Sequence, residues 1–375
     1  MSTNKRLQHF RGRWRASSKP LPPIDLWIHT PSIGEIKPLV PLLLESNRRI
    51  GITVTSDRSI EAVRQQLADH CQVKLLPLPT SPAIQQLRRN WQPQRLVLLE
   101  ADAWPHLLSM AGTSISELAG LAIRVNRGNQ LFWRHSFKQL NNVDFLHGIW
   151  VETDQERDRL KKCGCPAAKV QTGYFSKLML QSQNGAKKTL PRLPEKEKQH
   201  RIVVGSIHKE EISVIAKAIQ IVSQKEVSCE WVIVPRYPAE AETQAKLFRS
   251  AAVNTALWPE QHAVTLVSEF GVLEALYATA DVSLVGGSWT DLGGHNPVEP
   301  LLQNTATIMG PSVYNQEALL NKLGENAVTI APDAPAIADA IDKTLNDHPN
   351  GQPIKERIHV LGQAAQTMAI EALFA

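Results

Sequence analysis

Residues Gly286–Pro300 read GGSWTDLGGHNPVEP and directly follow an apolar run, Asp281-Val-Ser-Leu-Val285. Gly286, Gly287, Gly293 and Gly294 let the backbone come close to a ligand and take conformations closed to other residues. Asn296 followed by Pro297 signals a helix start, where exposed amides and the positive end of a helix would meet a phosphate. Ser288 and His295 add hydrogen-bonding side chains, and Glu299, in the first turn, could accept from two ribose hydroxyls. Read as a cap, Asn296-x-x-Glu299 accounts for Glu299, but not for the density of glycines or for His295. The spacing differs from the dinucleotide fingerprint and from the Walker sequence.

Other short stretches carry comparable chemistry. Gly205-Ser-Ile-His208 follows an apolar run and is either a tight turn capped by Ser206 or a ligand-facing turn with Ser206 and His208 as donors. Val234-Pro-Arg-Tyr-Pro238 places Arg236 at a strand end, where a guanidinium suits a phosphate or carboxylate, or else a surface ion pair. In the first half, Glu100-Ala-Asp102-Ala-Trp104-Pro105 crowds two carboxylates and an aromatic plate into one loop. His29-Thr-Pro-Ser32-Ile-Gly34-Glu35 precedes an apolar stretch, Ile36 to Leu44, expected to be a helix. Ser32-x-x-Glu35 matches a capping box, so Glu35 either finishes a helix start or takes a proton from a substrate.

The elements that would position these loops alternate along the chain. Gly51–Thr55, Gln72–Leu78, Arg95–Leu99, Leu121–Val125 and Gly148–Val151 read as strands of a first α/β domain over 23–180. A polar, Lys- and Pro-rich segment over 181–200 reads as a linker, after which Arg201–Val204, Glu230–Val234, Val264–Val267, Asp281–Val285 and Ala306–Met309 form a second α/β domain over 201–350. Residues 351–375 are expected to form a helix able to pack back toward the first domain. Parallel sheets covered by helices bind ligands outside the carboxyl ends of their strands. All the loops above sit there, and two such domains would enclose a cleft.

Composition bounds the function. The chain has 375 residues, 43% hydrophobic and 21% charged, which describes a globular, two-domain protein. No run approaches a membrane span and no signal peptide is recognisable, so a cytoplasmic protein is expected. Cys71, Cys163, Cys165 and Cys229 fit reduced thiols, and Cys163-Gly-Cys165 lacks the second pair a zinc site needs, so neither a disulfide nor a metal is expected. The net charge of +5 resides in a basic arm over 1–22: Lys5, Arg6, Arg11, Arg13, Arg15 and Lys19 are balanced by no acid before residue 20, and without them the chain carries −1. With Phe10 and Trp14 interleaved, residues 1–20 suit peripheral contact with an anionic membrane or an unpartnered tail, and no nucleic-acid module follows them.

Together these loops resemble the 3-deoxy-D-manno-octulosonic acid (Kdo) transferases of lipopolysaccharide biosynthesis. Ser32-Ile-Gly-Glu35 resembles the family's S-x-G-E, and Glu100-Ala-Asp-Ala-Trp-Pro105 resembles E-T-E-x-W-P. Gly205-Ser206 with His208 and Glu211 resembles G-S-T-H-E-G-E-E, and Val234-Pro-Arg236 with Pro238 resembles V-P-R-H-P. The most specific match is Gly286-Gly-Ser288 followed by Gly293-Gly-His-Asn-Pro-Val-Glu-Pro300. The resemblance implies a GT-B glycosyltransferase of two Rossmann-like domains, a CMP-Kdo donor held mainly by the second, an acidic lipid A precursor held mainly by the first, Glu35 as general base, and no metal or other cofactor. On the acceptor side it implies Ser32, Gly34, Glu100, Asp102, Trp104 and Arg127. The chain departs from the family in lacking an apolar anchor, in Arg124-Val-Asn126-Arg127-Gly128 where R-L-S-E-R-S is usual, in Gly173-Tyr-Phe-Ser176 where G-N-L-K is usual, and in Tyr237 for a histidine. A transferase for another nucleotide sugar and a nucleotide- or lipid-binding protein without transfer activity are the alternatives.

Overall fold

The computed structural model describes residues 13–14, 21–31, 33–67, 69–79, 81–100, 105–108, 115–126, 128–139, 144–179, 198–225, 227–269, 271–347 and 351–375. Ser32, Asp102, Trp104 and Arg127, most of the basic arm and residues 181–197 of the expected linker lie outside them. The chain divides into two units, Met1–Gln183 with Leu361–Ala375, and Asn184–Val360.

The first unit is built on a parallel sheet of seven strands: β1 (Leu26–His29), β2 (Ile50–Val54), β3 (Cys71–Leu75), β4 (Arg95–Leu99), β5 (Glu117–Leu121), β6 (Leu146–Val151) and β7 (Val170–Thr172). Their order is β3-β2-β1-β4-β5-β6-β7. The central strands are buried along their whole length, as expected of a sheet covered on both faces. One face packs Trp27 against Trp91, with ring centroids 5.5 Å apart and planes at 86°. Gly51 makes this possible, because a Cβ there would lie 2.5 Å from Ile24 and 2.8 Å from Trp91. The opposite face gathers Leu26, Ile28, Ile52 and Val97 with Ala365, Ala369, Ala372 and Leu373 of the last helix, Gln352–Phe374. Arg95, buried at the start of β4, donates to the carbonyls of Glu371 and Ala372 at 3.2 Å and to Glu117, so its charge is neutralised where it is desolvated.

Two local expectations are corrected. The strand expected over Leu121–Val125 lies earlier in the chain, as β5 over Glu117–Leu121, and it ends at Leu121 because Ala122 takes a left-handed φ of 53°. The apolar stretch Ile36–Leu44 is not one helix: it runs as a helical turn Ile33–Ile36, a 3-10 turn Lys37–Leu39 and a helix Val40–Leu44. Pro38 and Pro41 each lack the amide that a continuous helix would need. Arg13, counted in the basic arm, is tied down: it donates to the Leu76 carbonyl at 2.8 Å, and its own carbonyl accepts from Leu78 at 3.0 Å.

The second unit repeats the plan with β8 (His200–Ile207), β9 (Cys229–Pro235), β10 (Ala256–Leu257), β11 (Val264–Leu266), β12 (Val282–Val285), β13 (Ala306–Met309) and β14 (Thr329–Ile330), in the order β10-β11-β9-β8-β12-β13-β14, all parallel. Helices Ile212–Ser223 and Ala334–Asp347 bury Ile215, Ile219, Ile337 and Ile341 on one face of this sheet. In both units the strand order reverses next to the first strand, between β1 and β4 and between β8 and β12. The carboxyl ends beside such a reversal are where open α/β sheets admit ligands.

Candidate active site

At the reversal point of the second unit, the loops after β8 and β12 meet, and their geometry corrects the phosphate-cradle reading. Ser206 takes a φ of 57° and bulges the end of β8, so Gly205-Ser-Ile-His208 is the last turn of a strand and not a free loop. The bulge leads into a 3-10 turn, Lys209–Glu211, that delivers Glu211 fully buried beneath the glycine loop. Its Oε2 accepts from the amides of His208 and Gly287, both at 2.9 Å, and its Oε1 accepts from Ser288 at 3.1 Å and Trp289 at 3.0 Å. The remaining amides are also committed. Gly286 donates to Gly205, Gly293 to the Ser312 hydroxyl, Gly294 to Gly287 and His295 to Gly286, at 2.8 to 3.1 Å. The amides of Gly286, Gly287, Ser288, Gly293 and Gly294 therefore hold the loop together and are not donors to a phosphate.

The glycines serve close packing. A Cβ on Gly286 would stand 2.5 Å from the Ser206 carbonyl, and one on Gly287, whose φ is 70°, would stand 2.8 Å from the His295 ring. Ser288 is wholly buried, donating to the Val285 carbonyl at 2.6 Å and accepting from Gly310 at 2.8 Å, so it too is internal. The expected helix start is displaced: the helix is Val298–Leu302, and Asn296 precedes it, accepting from the Val298 amide at 3.2 Å and donating to Glu299 at 3.4 Å.

What remains at this edge is a set of side chains. His208 and His295 stack with centroids 5.0 Å apart and Nε2 atoms 2.8 Å apart, so one ring donates to the other. Tyr237, 54% exposed, meets His208 edge-on at 5.9 Å. Arg236 is exposed at the end of β9, anchored by its amide to the Ile207 carbonyl at 2.9 Å, and it forms no ion pair among the described residues. A guanidinium held by its backbone and unmatched by protein carboxylates is suited to an anionic group. Glu299 is half-buried beside Tyr277, whose hydroxyl burial pushes upward in pKa with a further push from Glu299. Gly205 faces the same hydroxyl, and a Cβ there would collide with it.

At the reversal point of the first unit, charged groups gather at the carboxyl ends of consecutive strands. Glu100 follows β4 with a φ of 41°, and its amide donates to Leu121 at 2.9 Å. Burial raises its pKa above the ordinary glutamate range; Arg124 opposes the rise, Glu35 and Glu152 add to it, and Lys177 opposes it. Arg124, beyond the end of β5, pairs with Glu152, directly after β6, at 3.0 Å. Glu156 is raised by burial and by Glu152, and Tyr174 by burial, Glu100 and Glu152. Glu35 lies half-exposed in the turn Ile33–Ile36 and Gly34 is exposed beside it. Four carboxylates, Glu35, Glu100, Glu152 and Glu156, and two cations, Arg124 and Lys177, thus share one end of this sheet.

The sequence reading brought Glu35 and Glu100 to this edge but not Arg124, Glu152 or Lys177 as site residues. Placing Arg124 inside a strand hid it. Lys177 follows the stretch Gly173–Ser176, read as having lost a lysine, and it lies close enough to Glu100 to favour its ionised form. In the sequence Glu211 stands out only as one matching letter of a motif. Its role had one available signal, a carboxylate three residues after His208 at a strand-to-helix passage.

Two Rossmann-like units, each gathering polar and charged side chains at the carboxyl ends of a parallel sheet, define the GT-B class of glycosyltransferase folds. A solved UDP-N-acetylglucosamine 2-epimerase shares that fold, with a TM-score of 0.60 and 13% identity over 94% of this chain and 96% of its own. Residues 2–179 match the family description 3-deoxy-D-manno-octulosonic-acid transferase, and the chain is similar over most of its length to transferases of that name. A 3-deoxy-D-manno-octulosonic acid transferase of Chlamydia muridarum is 26% identical over 352 residues, covering 88% of this chain and 80% of the relative. One from Aquifex aeolicus is 27% identical over 292 residues, covering 77% and 76%.

Proposed function

We propose that this protein transfers Kdo from CMP-Kdo to a hydroxyl of an acidic lipid A precursor, with Glu35 as the general base. Similarity over most of the chain to proteins named 3-deoxy-D-manno-octulosonic acid transferases carries the Kdo-transfer part of the reading. The charge cluster around Glu35 and Glu100 supports it. An acceptor hydroxyl is a poor nucleophile, and a carboxylate that takes its proton as the oxygen attacks the anomeric carbon contributes about 10²- to 10⁴-fold. As the new C–O bond forms, the bond from the anomeric carbon to the CMP oxygen breaks and CMP leaves with the electron pair. Arg236 is the exposed cation available to offset the charge that grows on the leaving phosphate. Arg124 and Lys177 would attract an acidic acceptor, and both favour the ionised form of Glu100. The reaction as written uses neither a metal nor another cofactor, and it places the protein at the cytoplasmic side of the membrane that carries the acceptor.

The test measures CMP release from CMP-Kdo generated in situ, with and without a lipid A precursor, for the wild type and Glu35→Gln. Acceptor-dependent release that falls at least about a hundredfold in the variant, with CMP binding retained, is the expected result. Release in Glu35→Gln within about threefold of wild type would remove Glu35 as the base, and CMP binding without any turnover in the wild type would overturn transfer.

A further inference from the structure

Helix Gln130–Gln139 of the first unit, QLFWRHSFKQ, divides cleanly into two faces. Trp133, Ser136 and Phe137, at i, i+3 and i+4, are buried, and the Trp133 and Phe137 rings stack at 5.7 Å with planes at 25°. Leu131, Arg134, His135 and Lys138 form the opposite stripe at the same spacing, and all four are exposed. Leu131 is 75% exposed and its neighbour Phe132 is 54% exposed. Among the described residues no other pair of large apolar side chains adjacent in sequence is exposed.

The helix has no acidic residue. Its surroundings extend the positive charge. Arg134 reaches the Lys162 carbonyl at 3.5 Å and Arg159 reaches the Val125 carbonyl at 3.3 Å, which brings the basic end of helix Asp154–Lys162 alongside. Of that neighbour's three acids, Asp154 and Asp158 are paired with Arg157 and Lys161 and Glu156 is half-buried in the first turn, away from the basic end, whereas Lys162 forms no ion pair among the described residues. Asp144 is the exposed acid that follows the helix in sequence.

We propose that this helix is an interfacial element that lays Leu131 and Phe132 into the surface of an anionic lipid bilayer, with Arg134, Lys138 and Lys162 at the level of the headgroups. An outward stripe that joins the most exposed large apolar side chain among the described residues to cations, without an acid on the helix, matches the chemistry of an anionic lipid surface. The opposite face is fixed in the core by Trp133 and Phe137, so docking requires no refolding. The proposal stands apart from the reaction proposed above, since none of these residues belongs to the charge cluster at Glu35. It is also distinct from the basic arm, being part of the folded first unit.

The experiment is co-sedimentation of the full chain with vesicles of phosphatidylcholine containing about a quarter phosphatidylglycerol, against phosphatidylcholine alone. Wild type, Leu131→Ser with Phe132→Ser, and Arg134→Glu with Lys138→Glu are compared at low salt, and each variant's unfolding midpoint is checked. Stronger binding to the anionic vesicles, reduced at least about tenfold in each double variant with the midpoint unchanged, is the expected outcome. Equal binding by all three proteins would overturn it, leaving any membrane contact to the arm. So would a concentration-dependent dimer, detected by sedimentation velocity, that Leu131→Ser with Phe132→Ser abolishes while vesicle binding persists. That result would assign the face to a second copy of the chain.

Discussion

Replacing Glu211 by glutamine keeps the volume of the buried side chain but turns one of its two acceptor oxygens into an NH₂ donor. Each oxygen serves two backbone amides: His208 and Gly287 on one, Ser288 and Trp289 on the other, at 2.9 to 3.1 Å. In either amide orientation two N–H groups, one buried and one part-buried, then face a donor, and each such orphan costs up to about 1–3 kcal/mol. A loss of about 2–4 kcal/mol follows once local adjustment is allowed for. For a domain of roughly 150–250 residues that corresponds to about 4–16 °C in Tm, at about 2–4 °C per kcal/mol. Alanine orphans all four amides and should cost more, while aspartate, shorter by one methylene, draws the oxygens away from the loop. Differential scanning calorimetry of the full chain reads the shift, and titration with CMP reads whether the loop still presents His295 and Glu299. A drop of under about 2 °C in Glu211→Gln, or a midpoint in Glu211→Ala above that of Glu211→Gln, would refute the claim that this carboxylate organises the glycine loop.

Glu100 gives a pH-dependent signature. Burial raises its folded-state pKa above the ordinary glutamate value of 4.5, so the folded state holds the proton more tightly than the unfolded state. Its contribution to stability is therefore present below about 4.5 and is lost as pH rises from there through the raised value. The urea midpoint should fall over that window in the wild type and fall less steeply in Glu100→Gln; Glu156, raised by the same cause, maintains part of the slope. An identical slope in both proteins would refute the assignment. The thiols make a second set of expectations. Burial pushes Cys71 and Cys165 up to about 12, Cys229 up to about 11, and Cys163 in the same direction. Iodoacetamide at pH 8 should label all four slowly in the native protein and rapidly in guanidinium, as read by mass spectrometry. Fast native labelling of Cys165 would contradict its burial.

Much of the architecture was legible because a parallel sheet covered on both faces leaves a plain trace. Its strands are short, almost uninterrupted apolar runs separated by amphipathic stretches, and β4 and β13 sit where those runs predicted. The errors fell where local preference gave way to a single backbone torsion. Ile123 and Val125 look like strand residues and are buried, yet Ala122 turns the chain out of the sheet before them. The two-residue strand β10 and the short edge strands β7 and β14 carry too little pattern to stand out. The interrupted helix after Glu35 was readable in principle from Pro38 and Pro41, since proline removes the amide that a continuous helix needs.

By itself the sequence determined that two α/β domains present their loops at the carboxyl ends of parallel strands, and it singled out Glu35, Glu100, His208, Arg236, His295 and Glu299 as the groups able to do chemistry there. It also supplied the glycines, which read as a place where a ligand could approach. Only the tertiary structure decided what approaches them. The carboxylate of Glu211, 76 residues before Gly287, fills the space beneath the loop and takes its amides. In the same way β5 and β6 bring Arg124 and Glu152 together across 28 residues, beside a Glu100 whose burial no local pattern reveals. The reason is physical. Periodicity and turn chemistry are properties of neighbours along the chain, whereas hydrogen-bond satisfaction and desolvation depend on every group within a few ångströms, whatever its distance in sequence.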